Sequence, residues 1–251
     1  MASRRGQLLD GVLLLDKPEG LSSNHALQRA KRALDARKAG HTGTLDPFAT
    51  GLLVCCFGRT TKIAGAMLNA DKIYEATLAF GSETDSGDLT GNVVSTAEAF
   101  QSVERDAFDS VLPAFRGEIQ QIPPMYSALK RDGKPLYKYA REGIEVEREP
   151  RQVSIHDLQV LAFDGQQAKI SVHCSKGTYI RTLAQDIGRA LGCGAHLVAL
   201  RRTAVGPFSI DNAVSLEALQ AMDNPVSVLI APNNLPVGLM PAGAQQKDED
   251  L

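Results

Sequence analysis

Apolar residues first gather at Val12-Leu13-Leu14-Leu15, a short continuous run that predicts a buried strand. Ser22 or Ser23 can then cap a helix whose apolar positions, Ala26, Leu27, Ala30 and Leu34, recur at helical spacing. A second unbroken run, residues 52–57, predicts another buried strand, and Thr60 or Thr61 can cap a short helix reaching about Ala70. From Ile73 to Phe80 the pattern alternates, with Tyr74, Ala76, Leu78 and Phe80 on one face of a strand. The acidic, turn-rich segment 82–91 does not fit calcium-loop spacing and is expected to be a plain surface loop. A helix from about Ala99 to Leu112 is expected next. Strands near Val153–Phe163 and Ala168–Cys174 precede a helix with the core stripe Ile180, Leu183, Ala184, Ile187 and Leu191. A short helix near Leu216–Ala221 gives way to a loose Pro- and Asn-rich stretch. Strands and helices at irregular spacing, without repeated βαβ units or a Gly-x-Gly-x-x-Gly signature, predict an α+β fold.

With 251 residues, 43% of them apolar and 22% charged, the chain has enough apolar material for one large domain or two small ones. No apolar run approaches the ~18 residues that span a bilayer, and the N-terminus lacks a cleavage-site pattern. No membrane association and a cytoplasmic location are therefore expected. The cysteines at 55, 56, 174 and 193 have no Cys-x-x-Cys spacing, and the histidines at 25, 41, 156, 173 and 196 have no zinc-protease spacing. Reduced thiols and no metal are expected.

The net charge of −2 is uneven: residues 211–251 hold one Lys against six acids, leaving 26 basic and 23 acidic residues before them, or +3. Basic residues cluster at Arg29, Lys31, Arg32, Arg37 and Lys38, and again at Lys130, Arg131, Lys134, Lys138 and Arg141. Clustered charge is what phosphate binding requires. In the second cluster Tyr126, Tyr137 and Tyr139 interleave with the cations, as suits looped RNA whose bases can be splayed out and stacked. Glu142, Glu145, Glu147 and Glu149 also allow a simple solvated surface there.

Residues 40–51, Gly-His-Thr-Gly-Thr-Leu-Asp-Pro-Phe-Ala-Thr-Gly, place one carboxylate, Asp46, among residues that constrain backbone shape. Pro47 pushes Asp46 towards an extended conformation, while Gly40, Gly43 and Gly51 permit tight turns or close approach. His41, Thr42 and Thr44 supply a ring and two hydroxyls but no second acid, so Asp46 suits a nucleophile or an electrostatic anchor rather than paired-carboxylate chemistry. An ordinary turn into a buried strand has the same composition.

In this order the string resembles the catalytic motif of the TruB family of tRNA pseudouridine synthases. Further segments resemble the family in unbroken order: Gly11–Gly20, with Leu-Ser-Ser-Asn24 after it; Lys72–Ala76; Pro124–Lys130; His173–Thr182; and Gly192–Arg202. The resemblance implies the pseudouridine synthase fold, a mixed, largely antiparallel sheet flanked by helices with a central active-site cleft. It implies a catalytic domain over 1–215 with a tRNA-binding insertion at 116–151, then a short helix and a flexible acidic tail over 216–251. Bacterial members usually continue into a small β-rich RNA-binding domain, which the polar C-terminal stretch does not resemble.

By the same resemblance Asp46 is the catalytic nucleophile, Arg181 its fixed positive partner, and Tyr74 a residue against the target base. Tyr179 and Leu200 contact the base, His41 occupies the space an extruded nucleotide vacates, and Lys17 supports the substrate pocket. Each also has a plainer reading, such as a strand tyrosine for Tyr74, a core residue for Leu200 and a surface ion pair for Arg181. Tyr179 and Arg181 share a face if the chain is extended there. The implied substrate is the uridine at position 55 in the T stem-loop of tRNA, bound by a monomer without metal or cofactor. Uridine isomerisation breaks a C–N glycosidic bond and rejoins the uracil through C5; a carboxylate can attack either the ring or the sugar's anomeric carbon. A noncatalytic RNA-binding module is the main alternative. A phosphotransferase or hydrolase lacks its glycine loop or acid cluster here.

Overall fold

The computed structural model describes residues 6–239; the expected acidic tail beyond 239 lies outside the described residues. These residues form two compact units, one from 6–72 with 201–239 and the other from 73–200.

The first unit opens with strand β1 (Gly11–Lys17), helix α1 (Ser23–Ala33), the short strand β2 (Ala39–His41) and strand β3 (Thr50–Phe57). β1 lies antiparallel to β3, with Leu13 opposite Cys55 and Leu15 opposite Leu53, and β2 pairs with the far edge of β3, His41 opposite Cys55. Val12–Leu15 of β1 and residues 52–57 of β3 are apolar at every position because both faces are covered. Leu13, Leu15, Leu53, Cys55 and Phe57 pack with Leu27 of α1 and with Leu34, the residue that caps its C-terminus. On the opposite face Val12, Leu14, Leu52, Val54 and Cys56 pack with Ile63 and Met67. The expected helix to Ala70 divides into a 3-10 turn (Gly58–Ile63) and helix α2 (Ala64–Asn69). Thr60 explains the break, since its hydroxyl accepts from the Phe57 N–H at 3.1 Å and donates to the Gly11 carbonyl at 2.6 Å, drawing the turn onto the start of β1.

The second unit contains β4 (Lys72–Phe80, all but its first residue), β5 (Ser82–Thr84), β6 (Val93–Thr96), α3 (Arg105–Val111), β7 (Gly117–Gln121), β8 (Lys130–Arg131), β9 (Lys134–Pro135), α4 (Leu136–Arg141), β10 (Arg151–Phe163), β11 (Gln167–Cys174) and α5 (Ile180–Ala190). Its sheet runs β4-β11-β10-β7, with antiparallel pairing on both sides of β10. β7 thus places the first residues of the 116–151 segment in the sheet. Phe80, Phe108 and Phe163 close the core, the last two stacked with centroids 5.0 Å apart.

Two expectations fail here. The helix begins at Arg105 rather than near Ala99, whose φ of +54° is not helical. Residues before it are instead tied down non-locally, Val103 N–H bonding the Gly165 carbonyl at 2.9 Å. Segment 82–91 is not a plain surface loop: it contains β5, and Thr84, Ser86 and Asp88 are buried.

Strand β12 (Ala195–Val205) leaves the second unit at Leu200 and enters the first at Arg201. There it runs parallel to β3, Arg201 beside Thr50 and Arg202 beside Gly51. β13 (Phe208–Ser209), β14 (Val214–Ser215) and α6 (Leu216–Ala221) complete the first unit, whose sheet runs β14-β1-β3-β12. The α+β expectation holds. Among the described residues no helix is long and apolar enough to cross a membrane.

Candidate active site

Asp46 is half-buried in the segment between β2 and β3, and nearly every peptide around it is fixed by the first unit. The Ser23 hydroxyl accepts from the Leu45 N–H at 2.7 Å and donates to the Leu45 carbonyl at 3.0 Å. The Asp46 carbonyl accepts from Ala49 N–H at 3.1 Å, and the Pro47 carbonyl from Gly20 N–H at 2.8 Å. The Lys17 ammonium, wholly buried, donates to the carbonyls of Leu21 at 2.7 Å, Pro18 at 2.8 Å and Pro47 at 3.3 Å. All three of its donors therefore have backbone partners, which favours the supporting role over direct contact with substrate. Burial lowers the Lys17 pKa to about 8, against the opposing charges of Asp46 and Glu19, while Arg202 adds to the lowering.

Arg202 closes the same segment at both ends. Its guanidinium, 1% exposed, donates to the Leu52 carbonyl at 2.8 Å and to the Gly43 carbonyl at 3.2 Å. Its backbone presses on Gly51, where φ is +101° and an added Cβ would lie 2.3 Å from the Arg202 carbonyl oxygen. Only glycine meets both conditions. Gly43 also needs its freedom, at φ +93°. Gly40 does not, since it sits in β2 with only a Thr61 methyl within 4 Å of a built Cβ. Arg201 makes a two-pronged ion pair with Asp16, at 2.7 and 3.1 Å.

His41 is half-buried, and its pKa is lowered by burial and then by the Arg202 charge, with the Gly43 backbone opposing weakly. The ring is neutral near pH 7. Burial raises the thiols of Cys55 and Cys56, the latter to about 12, so neither supplies a thiolate.

The second unit presents the remaining residues. Tyr74 is half-buried on β4, with Ala76, Leu78 and Phe80 buried along the expected face. Tyr179 and Arg181 do not share an extended face. The helix α5 begins at Ile180, leaving Tyr179 extended at its N-cap and Arg181 in the first turn. The Gln121 side chain, 2% exposed, holds the Tyr179 backbone by accepting from its N–H at 3.0 Å and donating to its carbonyl at 3.3 Å. Leu200 is buried at the end of this unit's share of β12.

Arg181 is 4% exposed. It donates to the carbonyls of Ser86 and Tyr126, each at 2.7 Å, and lies 3.6 Å from the Asp88 carboxylate. Asp88, 3% exposed, accepts in turn from the Ser86 hydroxyl at 2.8 Å and from the Thr90 N–H and hydroxyl at 2.9 and 2.6 Å. A buried charge persists only when paired and hydrogen-bonded, and the acidic turn does both for Arg181. The basic cluster around α4 is partly neutralised, since Lys134 pairs with Glu142; farther along the chain Arg148 pairs with Glu145. Arg29, Arg32, Arg37 and Lys38, at α1 and its exit, are exposed.

Sequence reasoning missed Ser23, Arg202, Gln121 and Asp88. Arg202 had a signal, since two consecutive arginines in an alternating strand must send one side chain to each face. Ser23 was noted only as a cap; Ser22 takes that duty, accepting from the His25 N–H at 3.2 Å. Gln121 and Asp88 act through partners remote in sequence and carry no local signal.

Residues 31–180 match the family model described as TruB family pseudouridylate synthase (N terminal domain), and residues 181–232 match that of the tRNA pseudouridylate synthase B C-terminal domain. A relative named tRNA pseudouridine synthase B, from Bordetella avium (strain 197N), is 73% identical over 243 residues, covering 96% of this chain and 100% of its own. One of the same name from Azoarcus sp. (strain BH72) is 64% identical over 215 residues, 86% of this chain and 71% of its own. Among solved structures, a chain of a Cbf5-Nop10-Gar1 complex superposes with a TM-score of 0.67 at 33% identity, over 85% of this chain and 54% of that one. A chain of an H/ACA RNP bound to a substrate RNA containing 2′-deoxyuridine gives 0.66 at 26% identity, over 92% and 65%. The present chain thus spans roughly half to two thirds of those solved chains. Matching at this identity across almost the whole sequence shows that the chain belongs to the TruB family of pseudouridylate synthases, enzymes of the isomerase class.

Proposed function

We propose that this enzyme isomerises uridine to pseudouridine at position 55, in the T loop of tRNA, with Asp46 as nucleophile. The observation that carries the reading is the fixed backbone on either side of Asp46, where Ser23 holds Leu45 and Lys17 with Gly20 holds Pro47. A carboxylate so placed needs no reorganisation when it attacks, which is how binding geometry lowers a barrier. The name shared by the relatives, tRNA pseudouridine synthase B, supports tRNA as the substrate class.

In this reading the C1′–N1 bond breaks with Asp46 acting on the uracil ring or on C1′, the detached uracil turns, and a C1′–C5 bond forms. The proton leaves C5 and N1 gains one, so the exchange balances within a single nucleotide. Arg181 supplies a fixed positive charge that keeps a carboxylate ionised in a dry surrounding, and its hydrogen bonds to Ser86 and Tyr126 hold it still. Tyr74 lies against the base and takes part in removing the C5 proton, while Tyr179 and Leu200 bound the ring. Neutral His41 fills the gap left by the extruded nucleotide, without the cost of burying a charge. The exposed cations of α1 and its exit meet backbone phosphate. The enzyme works as a cytoplasmic monomer.

The test is a tRNA transcript treated with the enzyme and mapped for pseudouridine at single-nucleotide resolution. Modification at position 55 alone, lost when that uridine is replaced by cytidine, is expected. Modification elsewhere, or none with tRNA bound, would overturn the assignment.

A further inference from the structure

The amide plane that joins Leu45 to Asp46 contains the Leu45 carbonyl and the Asp46 N–H, so whatever holds that carbonyl sets one of the two hinges about the Asp46 Cα. The Ser23 hydroxyl donates to it at 3.0 Å and takes the Leu45 N–H at 2.7 Å. Both residues are buried, Ser23 at 1% and Leu45 at 3% exposure, so water does not compete for either bond. The other hinge is set by the Asp46 carbonyl, which accepts from Ala49 N–H. With both adjoining planes fixed, the direction of the Asp46 Cα–Cβ bond is fixed.

A serine at the start of α1 is ordinarily explained by capping. That explanation is already taken here by Ser22, and the second serine points into the protein to a residue 22 positions away. One hydroxyl serves both polar groups of a single buried residue, and that residue is the one before the carboxylate.

We infer that Ser23 is a positioning residue for Asp46, its hydroxyl fixing the peptide unit on which the carboxylate is carried; the inference rests on the nucleophile reading above. Without this clasp the Leu45–Asp46 peptide is free to tilt, and the carboxylate leaves its line of attack while tRNA binding, made elsewhere, persists. Displacement of about 1 Å at a reacting group costs on the order of a hundredfold in rate.

The experiment compares Ser23→Ala and Ser23→Cys in the full chain, by single-turnover rate on a tRNA transcript, tRNA dissociation constant and melting temperature. Cysteine is close to serine in volume and bonds weakly, so it carries the test even where the alanine variant does not fold. Phe108→Leu, a core truncation in α3 of the second unit, serves as a control for lowered stability. The expected result is a rate loss of about a hundredfold in the serine variants, with tRNA affinity within about twofold, and no comparable loss in Phe108→Leu. Serine variants that keep their rate within about threefold, or lose it only as the control does, would overturn the inference. Asp46→Asn in the same series separates the two claims. If it turns over, the nucleophile reading fails. If it is inactive while the serine variants are normal, only the positioning role fails.

Discussion

The two units immobilise their key residues by different physics. Around Asp46 the first unit uses mostly hydrogen bonds to backbone, with hydroxyl, ammonium and guanidinium groups donating to carbonyls of Pro18, Leu21, Gly43, Leu45, Pro47 and Leu52. Around Arg181 the second unit adds a counter-charge, with the buried Asp88 carboxylate satisfied by Ser86 and Thr90. The first arrangement fixes the backbone that carries a carboxylate. The second keeps a cation charged in a dry environment, where a lone guanidinium would be prohibitive. Each method suits what it holds.

The largest expected effect falls on the counter-charge. Asp88→Ala removes a buried acid beside Arg181 and the acceptor of Ser86 and Thr90, and costs about 3–5 kcal/mol, read as a shift in the urea unfolding midpoint; a change below about 1 kcal/mol would show that the buried guanidinium does not depend on this acid. Next is Gly51→Ala, which combines a left-handed φ with a clash against the Arg202 backbone. We expect a loss of about 2–3 kcal/mol, from the strain of that conformation and the forced displacement, measured in the same unfolding assay. It breaks the first unit's scheme without touching any charge.

A pH titration sharpens the contrast further. Lys17 has a folded pKa of about 8 against an ordinary 10.5, so above about pH 8 the folded chain sheds a proton that the unfolded chain retains. Stability attributable to Lys17 therefore rises between about pH 8 and 10.5. The difference in unfolding free energy between wild type and Lys17→Met should grow across that window, and a flat difference would mean that the amine is not desolvated. The smallest effect belongs to the exposed pair Arg105 and Asp109, one helical turn apart. Arg105→Ala should change stability by no more than about 0.5 kcal/mol, in contrast to the buried pair.

The comparison also explains what was legible in the sequence. The Asp46 segment is local: its glycines, Pro47 and the apolar strand after it lie within residues 40–57, and the pattern exposed them together. Strands β1, β3, β4, β10 and β11 were legible for the same reason, their apolar runs and alternation being local properties. Arg202 reaches Gly43 across 159 positions, and Arg181 reaches Ser86 across 95, distances at which periodicity carries nothing. Segment 82–91 misled because its acids and turns look solvated, whereas Asp88 is buried to serve an arginine far along the chain. His156 and His173, without metal-ligand spacing, are brought to a ring separation of 4.9 Å by adjacent strands. Tertiary pairing, rather than local propensity, decides such contacts.

The central claim is that Asp46, held by its neighbours, performs the chemistry. Its most direct test is tritium release from tRNA carrying uridine labelled at C5, with wild type and Asp46→Asn at equal tRNA occupancy. The account predicts release by wild type, none above background by Asp46→Asn, and tRNA affinities within a few-fold of each other. Appreciable release by Asp46→Asn would contradict it.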